Sequence, residues 1–288
     1  MGLITLLTDF GHRDSYVGVM KGVMATISPQ SQVVDLTHGI QPQAILAARF
    51  NLLTSYEYFP AGTVHLVVVD PGVGTRRTAV AAAVNSPAGV QTIVAPDNGM
   101  LTGFSVMAAV ALTNSRYWRT LQPSCTFHGR DIFAPVAAHL ANGVSMAELG
   151  MSLSTDSLVK LDIDDASLLR EDSTDVPQIS RPISSQLTTD QGYRGTIQYC
   201  DHFGNLVTNI LGRQLVHHRW QVWLGECSIS CYATYGDAEP GTVLALIGSH
   251  GYVEIAVNGG SAADELKLQV GDSVMLIYVP HGLDKGEL

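Results

Sequence analysis

Positive charge is scarce in this chain: 16 lysines and arginines stand against 26 aspartates and glutamates, for a net charge of −10. Apart from Arg76-Arg77 and isolated pairs there is no basic cluster, so nucleic acid and anionic membrane are poor partners. A cationic small ligand is compatible with this balance. No apolar run approaches the roughly 20 residues that cross a bilayer as a helix. Met1–Asp9 has neither the basic n-region nor the cleavage site of a signal peptide, and the expectation is a cytoplasmic protein. Cysteine is also sparse. Cys125, Cys200, Cys227 and Cys231 are scattered, and Cys227-x3-Cys231 has no second metal-spaced pair, so they are expected to be buried thiols. Two common catalytic signatures are missing as well. Gly72-x-Gly74 meets Arg77 where a dinucleotide loop has its third glycine, and no Gly-Lys-Ser/Thr follows it. The absence of Gly-x-Ser-x-Gly removes the nucleophile elbow of α/β-hydrolases.

Hydrophobic residues, by contrast, make up 46% of the 288 and charged ones only 15%. Such a composition suits a well-packed enzyme with some surface covered by other subunits, and the length suits two domains. Residues 3–8, 32–38 and 63–70 read as strands, and the segments from Ser15 to Ile27 and from Gln43 to Tyr56 have helical periodicity between them. That alternation predicts a doubly wound α/β domain over 1–160, its central sheet flanked by helices. Val80–Val84 and Gln91–Ala95 continue the strands, Gly99–Val110 reads as a helix, and an alanine-rich helix carries His139. Residues 161–192 form an acidic, proline-containing connector, expected to be partly extended. Seven short strands with Gly and Asp turns then predict a smaller all-β barrel domain over 193–288.

The pivotal stretch is Val67-Val68-Val69-Asp70-Pro71-Gly72-Val73-Gly74-Thr75-Arg76-Arg77. A buried strand empties into a tight turn that carries a carboxylate and, six and seven residues on, two guanidinium groups. Three more polar turns join it: Asp9 after the first strand, Asp97-Asn98, and His128-Gly129-Arg130-Asp131. If their strands run parallel, an Asp, an Arg and a His gather at one sheet edge, where they can orient a water and stabilise charge. Each also has a plain structural explanation. Asp before Pro-Gly is ordinary turn chemistry, a lone His is commonly a packed core residue, and Arg130-Asp131 can cap the next helix. A metal site of Asp9, Asp70, Asp97 and His128 is the sharp alternative, although no pair has a local ligand spacing. In the second half, Asp201, Asn205, Asn209, Ser249, His250 and Asn258-Gly259 crowd small polar turns that suit a zwitterionic or nucleoside ligand.

Six blocks taken together separate these readings: Thr8-Asp9-Phe10-Gly11, Val69–Thr75, Ala95–Gly99, Phe127–Asp131, Phe203–Asn209 and Val257–Gly260. In this order they resemble the S-adenosylmethionine hydroxide adenosyltransferase family, hydrolase relatives of fluorinase and chlorinase, over residues 3 to 279. The resemblance implies an N-terminal α/β domain, a C-terminal β-barrel and a homotrimer with the ligand between neighbouring subunits. It implies attack of water on C5′ of S-adenosylmethionine, giving adenosine and L-methionine without metal or redox cofactor. The family's Asp–Arg–His triad falls on Asp70, Arg77 and His128, with Arg76 the second candidate for the arginine. Asp9 matches the carboxylate at the ribose hydroxyls; Asp201, Asn205 and Ser249 match positions around the methionine moiety. Phe127 and Tyr235 match aromatics near the adenine, and Asn258-Gly259 match the turn that reads its edge. The halogenases carry Tyr in place of Asp70, and fluorinase carries Ser in place of Gly129, where chlorinase shares a glycine. His250 stands where fluorinase has an arginine near the substrate carboxylate, and Gln43 where it has a tryptophan near the ribose. Negative charge at Asp70 opposes a halide, so water is the expected nucleophile. A halide adenosyltransferase, a nucleoside sensor and a metallophosphoesterase are the competing functions.

Overall fold

The computed structural model describes residues 2–163, 165–170, 190–216, 218–225 and 227–279, within two compact units, Met1–Asp162 and Ile163–Leu288. The first unit holds strands β1 (Leu3–Thr8), β2 (Gln32–Thr37), β3 (Val64–Val68), β4 (Ala79–Ser86), β5 (Gly89–Pro96), β6 (Val106–Ala111) and β7 (Met151–Leu153). Its helices are α1 (Tyr16–Ile27), α2 (Ile45–Leu53) and α3 (Ala134–Ala141). The sheet order is β2-β1-β3-β5-β4-β6-β7, with β2, β1, β3 and β5 parallel and the remaining three antiparallel. β3 is buried on both faces, which is why it reads as an unbroken apolar run. Val64, Leu66 and Val68 pack with Met20 and Met24 of α1 and Val136 and Ala137 of α3; Val67 and Val69 face Ala48 and Leu52 of α2.

The sheet is therefore mixed rather than doubly wound throughout, and helices flank only part of it. Turns finish the cover: Met100, Leu101 and Phe104 on one face, Tyr117 and Leu149 on the other. The helix expected over Gly99–Val110 is not formed. Gly99 and Gly103 take φ of +95° and +89°, Arg49 Nε holds the Thr102 carbonyl at 2.5 Å, and Val106–Ala111 becomes β6. Two left-handed glycines break the helical path, and a short apolar run reads the same in a buried strand as in a helix.

A row of polar groups crosses this core. The Gln91 amide donates to the carbonyls of Phe59 (2.7 Å) and Tyr56 (3.2 Å), so its oxygen faces His65 Nε2 at 3.3 Å. Nε2 carries the ring proton, and Nδ1 accepts the Thr5 hydroxyl at 2.7 Å. Burial pushes the His65 pKa from 6.5 down to about 4. Between those values the unfolded chain binds more protons than the folded one, so stability falls as pH drops from 6.5 towards 4, by on the order of 3 kcal/mol. Urea unfolding midpoints are expected to fall between pH 7 and pH 4.5, and to fall much less in His65→Gln. An equal loss in the variant assigns the acid sensitivity to other groups.

The second unit is antiparallel throughout its ladders. Its strands are β8 (Ser167–Arg170), β9 (Asp190–Cys200), β10 (Leu206–Leu211), β11 (Arg219–Leu224), β12 (Cys227–Ser230), β13 (Val243–Ile247), β14 (Tyr252–Val257) and β15 (Ser273–Val279), with a short α-helix, α4 (Ala262–Leu266), between the last two. The order is β12-β11-β15-β9-β10-β14-β13, with β8 beside β9. β9 is long enough to carry β8 on its first half and β10 on its second. A bridge from Cys231 to Ala245 brings the end of β12 to β13, so the sheet nearly closes into a barrel around Ile197, Leu206, Trp220, Val222, Ile255 and Leu276. β8 lies within the stretch read as a connector, of which residues 171–189 fall outside the described residues. The cysteines are not buried as expected. Cys125, Cys227 and Cys231 are exposed because they sit on a loop and along or beside an end strand; Cys200 closes the interior strand β9 and is half-buried against the core.

Candidate active site

Beyond β3 the chain folds back through two reverse turns. The Val73 N–H reaches the Asp70 carbonyl and the Thr75 N–H the Gly72 carbonyl, each at 3.2 Å. The Thr75 hydroxyl donates to the Gly72 carbonyl at 2.7 Å and accepts the Arg77 N–H at 3.2 Å, which returns Arg77 to the start of the loop. Gly74 sits at φ +75°, and a Cβ there would strike the Cys125 carbonyl oxygen. Glycine thus lets this loop press against the segment that carries His128.

The resulting geometry is specific. Arg77 Nε donates to Asp70 Oδ1 at 3.0 Å, Arg77 Nη2 pairs with Asp70 Oδ2, and Nη2 also reaches His128 Nδ1 at 3.1 Å. Both partners of the pair are nearly buried, with side chains 8% and 5% exposed, and the guanidinium lies 5.2 Å from the Phe133 ring centre. A two-pronged, shielded ion pair of this kind fixes both planes. Arg76 points to solvent, so the turn selects Arg77. Because Nδ1 of His128 accepts from a guanidinium, its ring proton belongs on Nε2. Burial first, and then the Arg77 charge, hold the His128 pKa below its ordinary 6.5.

The turn that follows His128 is organised by Asp131. The chain there makes one π-helical turn, Gly129–Phe133. Asp131 is fully buried and accepts from Arg119 Nε (2.5 Å), Arg130 Nε and Nη2 (2.8 Å each) and the Ser124 N–H (2.9 Å). Those donors, Arg130 first, hold its carboxyl well below the usual range. Its task is to tie the 119–124 loop to this turn, not to cap α3.

The cluster opens on a cleft of about 390 Å³ lined by Asp9, Tyr16, Gln43, Asp70, Phe127 and His128 among others. Asp9 Oδ2 accepts the backbone N–H of Gln43, a non-glycine residue at φ +66°, at 2.8 Å. Phe10, Tyr16 and Phe127 meet ring against ring at 5.1 to 5.9 Å. Tyr16 escapes the sequence reading because it opens α1 one position before the apolar stripe begins. At Gly129, which lines the cleft, a Cβ would sit 3.1 Å from Met20 Sδ and 3.2 Å from the Phe127 ring, so glycine is what lets this turn pack so closely against them. The Asp97-Asn98 turn serves as a brace. Asp97 accepts the Val159 N–H at 2.9 Å, and Asn98 Nδ2 donates to the Val69 carbonyl at 2.9 Å, just ahead of Asp70. Asp9 and Asp97 are thus engaged apart from the Asp70–Arg77–His128 cluster, and among the described residues no three His, Cys, Asp or Glu side chains are grouped to hold a metal.

In the second unit, Asp201 Oδ1 accepts the N–H groups of Phe203 and Asn205, and its Oδ2 accepts Asn205 Nδ2, all at 2.9 Å. Tyr235 donates to Glu254 Oε1 at 2.6 Å, and Asp201 is near enough for its charge to help raise the Tyr235 pKa, after burial and the Glu254 bond. Asn258 Nδ2 donates to the Ala238 carbonyl at 2.7 Å and Gly259 takes φ +77°, which shapes that turn. Ser249 is exposed on the turn before His250. Glu254 went unnoticed in the sequence as one charge inside an apolar strand.

Both units have counterparts. Residues 4–150 match the SAM hydroxide adenosyltransferase N-terminal domain, and residues 195–275 match the C-terminal domain of the same name. An (R)-S-adenosyl-L-methionine hydrolase of Salinispora tropica is 38% identical over 93% of this chain and 95% of its own. A fluorinase of Nocardia brasiliensis is 27% identical over 95% and 96%. The solved structure of an uncharacterised conserved protein from Thermotoga maritima superimposes with a TM-score of 0.79 at 34% identity, covering 95% of this chain and 99% of that one. With both matches falling in order on the two structural units, the chain belongs to the S-adenosylmethionine (SAM) hydroxide adenosyltransferase family.

Proposed function

We propose that this protein hydrolyses S-adenosyl-L-methionine at C5′ to adenosine and L-methionine. The observation that carries the reading is the Asp70–Arg77–His128 cluster at the wall of the cleft. The sulfonium is already a good leaving group, so the protein has mainly to align a water with the C5′–S bond and shed bulk solvent. The water oxygen forms the new bond to C5′, the C5′–S pair departs onto sulfur and neutralises it, and one proton is released. Arg77 occupies Nδ1 of His128, so the ring offers the water an Nε2–H donor. Asp70 keeps carboxylate lone pairs beyond those Arg77 uses, and is the group that takes the proton. This displacement asks for little basicity, because the leaving group departs as a neutral thioether. The negative charge of Asp70 at the cleft wall disfavours a halide as the nucleophile.

Asp9 holds the ribose hydroxyls, Phe127 and Tyr235 lie at the adenine with Asn258-Gly259 on its edge, and Asp201, Asn205 and Ser249 surround the methionine moiety. The assembly is a homotrimer in which a neighbouring subunit completes each site. Exposed apolar side chains such as Leu121 (77%) and Phe203 (73%) are what such contacts would cover. Free, exposed thiols favour a reducing, cytoplasmic setting. The reaction uses no metal or cofactor.

The test is incubation with S-adenosyl-L-methionine in EDTA, with and without chloride and in oxygen-18 water, followed by liquid chromatography and mass spectrometry. Adenosine labelled at its 5′ oxygen, together with methionine and independent of chloride, is the expected result. A chlorinated nucleoside would move the protein to the halogenases; dependence on a chelatable metal, or the absence of any product, would overturn the reading.

A further inference from the structure

One buried carboxylate has no part in that mechanism. Glu254 lies on β14 and is only 4% exposed, although strand alternation puts it on the face opposite Val253, Ile255 and Val257. Each oxygen has its own partner: the Tyr235 hydroxyl donates to Oε1 at 2.6 Å, and His250 Nε2 faces Oε2 at 3.0 Å. The Tyr252 N–H donates to His250 Nδ1 at 3.2 Å, so the imidazole proton belongs on Nε2 and is given to Glu254. Gly248 packs over the pair so closely that a Cβ would lie 2.5 Å from the His250 ring and 2.8 Å from Glu254 Oε2. Tyr235 as a whole stays 43% exposed. Its hydroxyl end is tied down while its ring remains open.

We infer that Glu254 is a positioning residue, which holds the Tyr235 ring as a fixed stacking face for the adenine of the substrate and uses His250 as its second support. This rests on the S-adenosylmethionine reading and deepens it. Stacking on an aromatic face contributes most when the ring need not be ordered on binding. His250, with Nδ1 and Nε2 both turned to its own unit, does not take over the carboxylate-binding task of an arginine. Specificity for the base is thereby decided by a tyrosine, a glutamate and a histidine held in one chain of bonds.

A double-mutant cycle on the full-length protein tests this. Glu254→Leu and Tyr235→Phe are each expected to raise KM for S-adenosyl-L-methionine about fivefold, as loss of one hydrogen bond does, with kcat changed less than about twofold. The double variant is expected to match the single ones, because both cut the same link. Unchanged KM with lowered thermal stability makes Glu254 merely structural and overturns the inference, as do independent factors that multiply in the double variant. If Glu254→Leu does not fold, Tyr235→Phe decides alone, since it keeps the ring; an unchanged KM overturns the inference. Adenosine affinity, measured by calorimetry on the same proteins, separates the two readings. Wild-type protein that binds adenosine without turnover refutes the hydrolase reading while the cycle is still read in Kd, and wild-type protein that does neither refutes both.

Discussion

Asp70→Asn is expected to lower kcat for S-adenosyl-L-methionine hydrolysis about 10³-fold and to change KM less than about threefold. Among the described residues its carboxylate is hydrogen-bonded by Arg77, and it lies at the wall of the cleft rather than along a binding surface. Asparagine has the same volume and keeps one oxygen for Arg77. What it loses is the negative charge and the second acceptor, and its amide hydrogens meet a guanidinium that can only donate. The water then has no proton acceptor, and Arg77 is released from the plane in which it holds Nδ1 of His128. Both losses are felt when charge moves and not when the nucleoside binds, which places the effect in kcat. Steady-state kinetics on protein with an unchanged circular-dichroism spectrum reads the split. A raised KM with wild-type kcat would remove Asp70 from the chemistry and make it a binding residue.

Why this site was legible, and other parts less so, follows from how far each signal reaches along the chain. Asp70 announces itself locally: an apolar strand, then Asp-Pro-Gly. The choice between Arg76 and Arg77 cannot be made from spacing, because it depends on the Thr75 hydroxyl closing the second turn and directing residue 77 inward. The partnership with His128 spans 51 positions and is set by the packing of two loops through Gly74. β6 was misread because apolar residues at 106–111 carry no period that distinguishes a buried strand from a helix. Glu254 was hidden by the opposite effect. Alternation predicts an outward-facing position, and the tertiary cover from Tyr235, His250 and Gly248 turns an ordinary strand charge into a buried acceptor.

Asp131→Ala is expected to cost about 3 kcal/mol of stability, about 5–10 °C in Tm, and to reduce kcat as well. The carboxylate is wholly buried, and four donors converge on it from Arg119, Arg130 and the Ser124 backbone. Its removal leaves those donors unmatched. The penalty stays near the lower end for a buried ionic network because Arg119 and Arg130 are 43% and 31% exposed and can turn towards water. The Ser124 N–H has less freedom, and with its acceptor gone the loop ahead of Phe127 and His128 loses its anchor. His128 then drifts from Arg77, so the catalytic loss comes from geometry and not from any contact of Asp131 with substrate. The sign of the pH effect agrees. A carboxyl whose folded pKa lies below its unfolded value stabilises the protein above the unfolded pKa, and that contribution disappears as pH falls through the folded one. Wild type and variant should therefore differ most in urea midpoint at neutral pH and converge in strong acid. A variant with wild-type stability at pH 7 would show that the arginines, and not the carboxylate, organise this turn.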